Sequence, residues 1–463
     1  MDMQTFHLYW LITLAYASVN ITGNVYFPTR KFDSEWWSNT IIYQAYPRSF
    51  KDSNRDGVGD LKGIIQKLDH FVDLGIETIW VGPIFKSPMI DMGYDVENFT
   101  LIDPLFGTMD DFDELVSEMD KRSKFDRFES SAWTWNEERK QFYFHQFNPQ
   151  QPDFNVRNPQ VHLEFFNIMG FWLDRGVSGF RFDAVGYLYE NNSFTDEPII
   201  PGKEGSSYND LNHIYTKNQP EVIDTLIQWR KYAEDFRKKN NKKNSVLIAT
   251  ESYTSINTLM QYYGNITNPG AQIPFNFQLL GMDRNNLLEQ TEQGIKKWIE
   301  NIPENMVPNW VIENHDLFRM SFYYGAEFIQ LFTVLKLALP GVDVTYYGSE
   351  IGMDNTYMRP DQIKDIYSLK LYKSFGIAGL TRDVSRSPMQ WDDSINAGFT
   401  DAKLPWLPVN PNYYHLNVEA QKKIPTSHYN VYKKMSQLRK TDTLKYGDLQ
   451  TYNISKSIYI IKR

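Results

Sequence analysis

Val177-Ser178-Gly179-Phe180-Arg181-Phe182-Asp183-Ala184-Val185 is the stretch whose reading decides the rest of the chain. Phe180, Phe182 and the flanking valines specify a short buried strand entered through Gly179. Within it Arg181 and Asp183 lie two residues apart, and therefore on one face. Burying such a pair is costly unless further hydrogen bonds compensate. These residues alone leave two readings open. One is a structural ion pair; the other is a carboxylate kept ionised by its arginine and aimed at an electrophilic carbon.

Strands and helices alternate around this stretch. Thr40–Tyr46 reads as a strand, and Asp60–Leu74 as a helix with Leu61, Ile64, Ile65, Leu68 and Phe71 on one face, ended by Gly75. Glu77–Val81 is the next strand and Asp110–Arg122 the next helix, while Pro159–Arg175 leads into the opening stretch. Helix Glu221–Lys239 precedes strand Val246–Thr250, further strands follow at Ile273–Phe277, Trp310–Ile312 and Val342–Tyr347, and a late helix spans Tyr429–Arg439. Repeated units of this kind predict an α/β fold, a (β/α)8 TIM barrel. The rhythm breaks once: Ser123–Ser131 is polar and offers no buried strand, and Ala132–Asn158 is aromatic, Gln-rich and irregular, like an excursion from the barrel. The predicted layout is a leader at 1–17, barrel at 28–122, excursion at 123–158, barrel again at 159–440 and the start of a β domain at 441–463.

A net charge of −9 argues against nucleic acid or an anionic membrane as partner. With no cysteine, disulfides play no part. The 12 Trp, 29 Tyr and 30 Phe are core material first, and permit a sugar site. Phe6–Ala17 is a short apolar run ending Ala15-Tyr16-Ala17, the pattern of a secretory leader with a small-residue cleavage site and too short to span a membrane. Five glycosylation acceptors follow, at Asn20, Asn98, Asn191, Asn265 and Asn453. Together they predict a secreted glycoprotein.

Three predicted strands end in acids: Asp183, Glu251 and, in the run Glu313-Asn314-His315-Asp316, Asp316. Chemistry in such barrels collects at the C-terminal ends of strands. Glycoside hydrolysis needs one carboxylate as nucleophile and one carboxylic acid to protonate the leaving oxygen. A third acid can then position sugar hydroxyls, with His315 donating a hydrogen bond beside it. The loop Asp52-Ser53-Asn54-Arg55-Asp56-Gly57-Val58-Gly59-Asp60 spaces oxygen ligands alternately, which suits Ca2+; the other reading is a loop of Asx turns.

Six motifs carry a resemblance. They are Tyr43-Gln44-Ala45-Tyr46-Pro47-Arg48-Ser49-Phe50, Gly93-Tyr94-Asp95, Gly179–Val185, Thr250-Glu251, Asn314-His315-Asp316 and Ser387-Pro388-Met389-Gln390-Trp391-Asp392. In combination the chain resembles the maltases and α-glucosidases of the α-amylase superfamily, most closely the secreted insect type. The resemblance implies hydrolysis of terminal α-linked glucose from small oligosaccharides. It makes Asp183 the nucleophile, Glu251 the general acid/base and Asp316 the transition-state stabiliser. It implies that Tyr94, Asp95, Arg181, His315 and Arg386 hold the first sugar. It also implies a structural Ca2+ held by Asp52, Asn54, Asp56, the Val58 carbonyl and Asp60.

The chain departs from that family in one large way. The third barrel strand, with the sugar-binding histidine at its end, is absent, and Arg122 runs directly into the excursion. Losing an internal strand leaves a gap or forces a new register, so the chain as written is expected to be poorly folded and nearly inactive. That expectation keeps a second reading open, a non-catalytic relative serving as a binding or receptor protein. The carboxyl end is short for the family, and Leu317, Ser349 and Gly186 stand where other residues are usual.

Overall fold

The computed structural model describes residues 23–28, 35–120, 134–136, 141–143, 145–147, 151–192, 195–204, 208–369, 381–455 and 458–463. The leader and Asn20 lie outside them, as does the whole polar run at 123–131. Seven parallel strands carry the site. Asn309–Val311, Val342–Tyr346, Ile41–Ala45 and Thr78–Val81 form one four-stranded sheet in that order, and Ile273–Pro274, Leu247–Thr250 and Gly179–Phe182 form a second. Each is short and almost wholly buried, as continuous apolar runs between helices must be.

The helices between them bury one stripe each. In Glu221–Lys239 the stripe is Val222, Leu226, Trp229 and Ala233, with acids in the first turn and Arg237, Lys238 and Lys239 in the last, opposing the helix dipole. The helix expected over 60–74 is two, Leu61–Gln66 and Leu68–Leu74, because the Lys67 amide bonds back three residues to Ile64 and tightens the turn. Gly75 ends the second in the left-handed region, as its position required.

Among the described residues the strands do not close into an eight-stranded ladder. The first seam lies between Ile273–Pro274 and Asn309–Val311, and a side chain bridges it. Asn309 Oδ1 accepts the Asn276 amide at 2.8 Å, and its Nδ2 donates to the Pro274 carbonyl at 2.7 Å. The strand expected over 273–277 is correspondingly only two residues long. The second seam lies between Thr78–Val81 and Gly179–Phe182, where an additional strand would fall. A cavity of about 30 Å3 sits there, and the Arg181 guanidinium stands over the Trp80 ring at 4.6 Å.

Three further pairings lie outside these strands, and of them only a β stretch within 441–463 was expected from the sequence. Phe85–Lys86 and Asn98–Ile102 form an antiparallel pair beside the barrel. Gly23–Phe27 pairs antiparallel with Leu449–Ser455, which pairs in turn with Ile458–Lys462, so the last stretch of chain joins a three-stranded sheet with an early one. Thr134–Asn136 and Gln141–Tyr143 form a hairpin within the excursion.

The Asn309 bridge predicts that Asn309→Ala, which strands a buried amide and a buried carbonyl, costs about 2–4 kcal/mol. The urea midpoint should fall with an unchanged slope; a shift below about 0.5 kcal/mol would show that the seam carries little.

Candidate active site

The three strand-end acids meet. Asp183 follows Phe182, Glu251 follows Thr250, and Asp316 lies on the loop after Asn309–Val311; all three line one cavity of about 330 Å3, with Asp91, Tyr94 and Arg382 on its wall. Arg181 Nη1 is paired with Asp183 Oδ1, and its Nη2 lies 3.7 Å from Glu251 Oε2. Ala184, immediately after Asp183, has φ +46°, a left-handed conformation unusual for a residue with a Cβ. The turn this makes aims the Ala184 amide at Glu251 Oε2, 3.1 Å away. The backbone that carries one acid thus orients the next.

The environments of two of these acids differ in sign. Burial is the largest influence on Glu251 and pushes its carboxyl up; Arg181 opposes this and the charge of Asp316 adds to it. Burial acts on Asp316 in the same direction but is outweighed, so this carboxyl stays well below the usual range. His315 is itself lowered to about 3, chiefly by burial, and so is neutral at physiological pH. What keeps Asp316 ionised is therefore two arginines, Arg382 Nη1 at 3.0 Å and Arg386 Nη2 at 2.9 Å, both on Oδ1.

His315 is fixed from both sides, by Gln44 Nε2 on Nδ1 at 2.8 Å and by Tyr94 Oη on Nε2 at 2.6 Å, with the Tyr94 ring stacked on it. Arg386 also donates through Nε to the His315 carbonyl at 2.7 Å. Arg181, His315 and Arg386 thus lie against the acids rather than on the cavity wall; Tyr94 is on the wall. Asp95 departs from its expected place. Its carboxylate is spent inside its own loop, accepting Ser87 Oγ at 2.9 Å, the Ile90 amide at 2.8 Å and the Asp91 amide at 3.1 Å. Asp91 lines the cavity instead and faces Arg382 at 3.4 Å.

Sequence reading missed Asp91 and Arg382. Arg382 lies four residues before Arg386 across a short 3-10 turn, so the Arg-x-x-x-Arg spacing was the available signal. It holds Asp365, Asp316 and Asp91 at once.

The Asp52–Asp60 loop is closed by its own amides. Asp52 accepts from Asn54, Arg55, Gly57 and Thr400; Asn54 Oδ1 accepts from Asp56, and Asp56 Oδ1 from Val58. Asp60 caps the following helix through Gly63 and accepts the Ser53 amide. Among the described residues no three His, Asp or Glu side chains gather into a metal-holding group. A set that includes the Asn54 amide oxygen and the Val58 carbonyl is of a different kind. Of the acceptor asparagines, Asn265 and Asn453 are exposed, and Asn98 and Asn191 are half-buried. No described helix is long and apolar enough to cross a membrane.

The catalytic-domain model of the α-amylase family matches residues 44–124 and 122–447. The chain is 37% identical to Maltase A2 of Drosophila melanogaster, over 88% of this chain and 79% of that protein. It is 36% identical to the salivary α-glucosidase of Aedes aegypti, over 93% and 83% respectively. It is also 36% identical to the rat amino acid transporter heavy chain SLC3A1, over 89% of this chain and 66% of that one. Among solved structures, that of the α-glucosyl transfer enzyme XgtA superposes with a TM-score of 0.83 at 28% identity, over 93% of this chain and 89% of that one.

The raised Glu251 has a consequence for stability. The folded protein holds this proton more tightly than the unfolded chain does. Stability is therefore lost as pH rises from about 4.3, the ordinary value, through the raised one. Glu251→Gln has no such loss. The variant should melt higher than wild type near pH 7, with the difference vanishing below about pH 4. An equal or lower melting temperature near neutrality would contradict the assignment.

Proposed function

The chain belongs to the α-amylase family, and from that premise we propose that it is a retaining α-glucosidase of the maltase type. The observation that carries the reading is a buried Glu251, its carboxyl pushed up chiefly by burial, beside the Arg181–Asp183 ion pair in one cavity. Its substrates would be terminal α-1,4-linked glucose in maltose and short oligosaccharides, and the glucosyl bond of sucrose.

In the first step Asp183 forms a bond to the anomeric carbon while Glu251 gives its proton to the leaving oxygen. Glu251, now a carboxylate, takes a proton from water as that water attacks the glucosyl–Asp183 ester, and both acids return to their starting states. Arg181 pairs with Asp183 and holds its carboxylate in place for attack. Asp316, held ionised by Arg382 and Arg386, faces the positive charge that develops on the sugar. Identity alone does not choose between a glucosidase and a binding protein, since the transporter heavy chain is as similar. The three acids and their arginines favour the enzyme, because binding has no use for a proton donor beside a nucleophile.

The salivary relative and the exposed acceptors Asn265 and Asn453 support secretion as a glycoprotein. Ca2+ at Asp52, Asn54, Asp56, Val58 and Asp60 belongs to the same proposal, as a support for the loop after the first barrel strand.

Asp183→Asn should abolish turnover of maltose while leaving the melting temperature within a few degrees, since an amide cannot serve as the nucleophile. Proton NMR of the first product should show the α-anomer. Release of β-glucose, or turnover of the wild type no better than that of Asp183→Asn, would defeat the reading. For the metal, chelation should lower the melting temperature of wild type and leave that of Asp56→Ala unmoved; equal effects on both would rule the loop out as its site.

A further inference from the structure

The loop that carries Asp316 has a second anchor, away from the cavity. Glu313 is buried; its Oε2 accepts the Met320 amide at 2.8 Å, and its Oε1 accepts the Ser349 hydroxyl. One carboxylate therefore ties residue 313 to residue 320, across the loop bearing Asn314, His315 and Asp316. Arg319 lies beside it, 1% exposed. Its Nη1 donates to the Tyr347 carbonyl and stands 3.9 Å from Glu313 Oε1, and its guanidinium lies 4.4 and 4.7 Å from the Tyr346 and Tyr347 rings. Its Nε and Nη2 have no hydrogen-bond partner among the described residues. A buried guanidinium bonded this sparsely needs an anion beside it. Glu313 is the carboxylate within ion-pair reach.

We propose that Glu313 is a positioning residue for Asp316. Arg382 and Arg386 grip the loop from the cavity side. Glu313, countercharging Arg319 and stapled to Met320 and Ser349, fixes it from the far side, so that the Asp316 carboxylate stays in register with the reacting sugar. This rests on the glucosidase reading, and it deepens that reading by adding a charged residue that never touches substrate. The Ser349 hydroxyl already contacts the Glu313 carboxylate, so a carboxylate carried by residue 349 reaches the same place from the opposite side. The charge should be transferable.

The test uses three chains beside wild type: Glu313→Gln, Glu313→Gly, and Glu313→Gly combined with Ser349→Glu. On 4-nitrophenyl α-D-glucoside, Glu313→Gln should lose about tenfold to a hundredfold in kcat with KM within about twofold, because misplacing Asp316 weakens the transition state rather than ground-state binding. Affinity for deoxynojirimycin, a cationic glucose-shaped ligand, should fall by about tenfold. The double variant should recover most of what Glu313→Gly loses. A merely structural Glu313 would lower the melting temperature and leave kcat of the folded fraction intact; that result, or a double variant no better than Glu313→Gly, overturns the proposal. If Glu313→Gln does not fold, the double variant decides: kcat within about threefold of wild type supports the proposal, and a larger loss sinks it. Wild type without turnover would defeat the glucosidase reading separately. Deoxynojirimycin affinity would then judge Glu313, and equal affinity in Glu313→Gln, or none in wild type, would end the proposal.

Discussion

The Arg181–Asp183 ion pair is the constraint around which the site is arranged. A buried carboxylate and a buried guanidinium are each expensive alone, so removing either leaves an uncompensated charge in the interior. The same guanidinium reaches toward Glu251 and lies on the Trp80 ring. Arg181 therefore touches Asp183, Glu251 and the neighbouring sheet at once. The left-handed turn at Ala184 extends its influence by sending a backbone amide to Glu251. Environment sets two of the cavity's carboxyls apart: burial pushes Glu251 up, while Arg382 and Arg386 hold Asp316 low.

The second seam is the price of this arrangement. Thr78–Val81 and Gly179–Phe182 each have one ladder partner among the described residues, and their facing edges are joined there by side chains rather than by backbone hydrogen bonds. The first seam shows how this works: one Asn309 amide does what a strand pair would do. At the second, an aromatic face and a cation meet across a small void. The guanidinium paired with Asp183 is thus also part of what spans the second seam among the described residues.

The parts legible in the sequence were those with local periodicity. Helix Glu221–Lys239 and strand Gly179–Phe182 came from spacing and apolar runs, and Asp183, Glu251 and Asp316 came from strand ends. What was hidden depends on pairs far apart in the chain. The spacing to Arg386 marks Arg382 but does not say that it will reach Asp316 and Asp91, and nothing near Asp95 says that its carboxylate will be used up by Ser87, Ile90 and Asp91. The strand at Ile273 was overestimated because Phe275 and Phe277 continue its apolar pattern, while pairing ended where the Asn309 side chain took over. Glu313 stood beside the Asn-His-Asp run, yet its meaning depended on Ser349 and Arg319 arriving from elsewhere.

The sheet made by Gly23–Phe27 and the hairpin of Leu449–Ser455 and Ile458–Lys462 bears on how the protein is made. On a ribosome, residues 23–27 emerge early and must wait for nearly the whole of the remaining chain before their partner exists. Closing a loop of that length adds little entropy cost at equilibrium, since the penalty grows only with the logarithm of length. It costs time instead. Until residues 449–455 have been made, Val25 and Phe27 are apolar side chains on a strand with an open edge. The making of Leu449–Ser455, rather than the meeting of Asp183, Glu251 and Asp316, closes that edge.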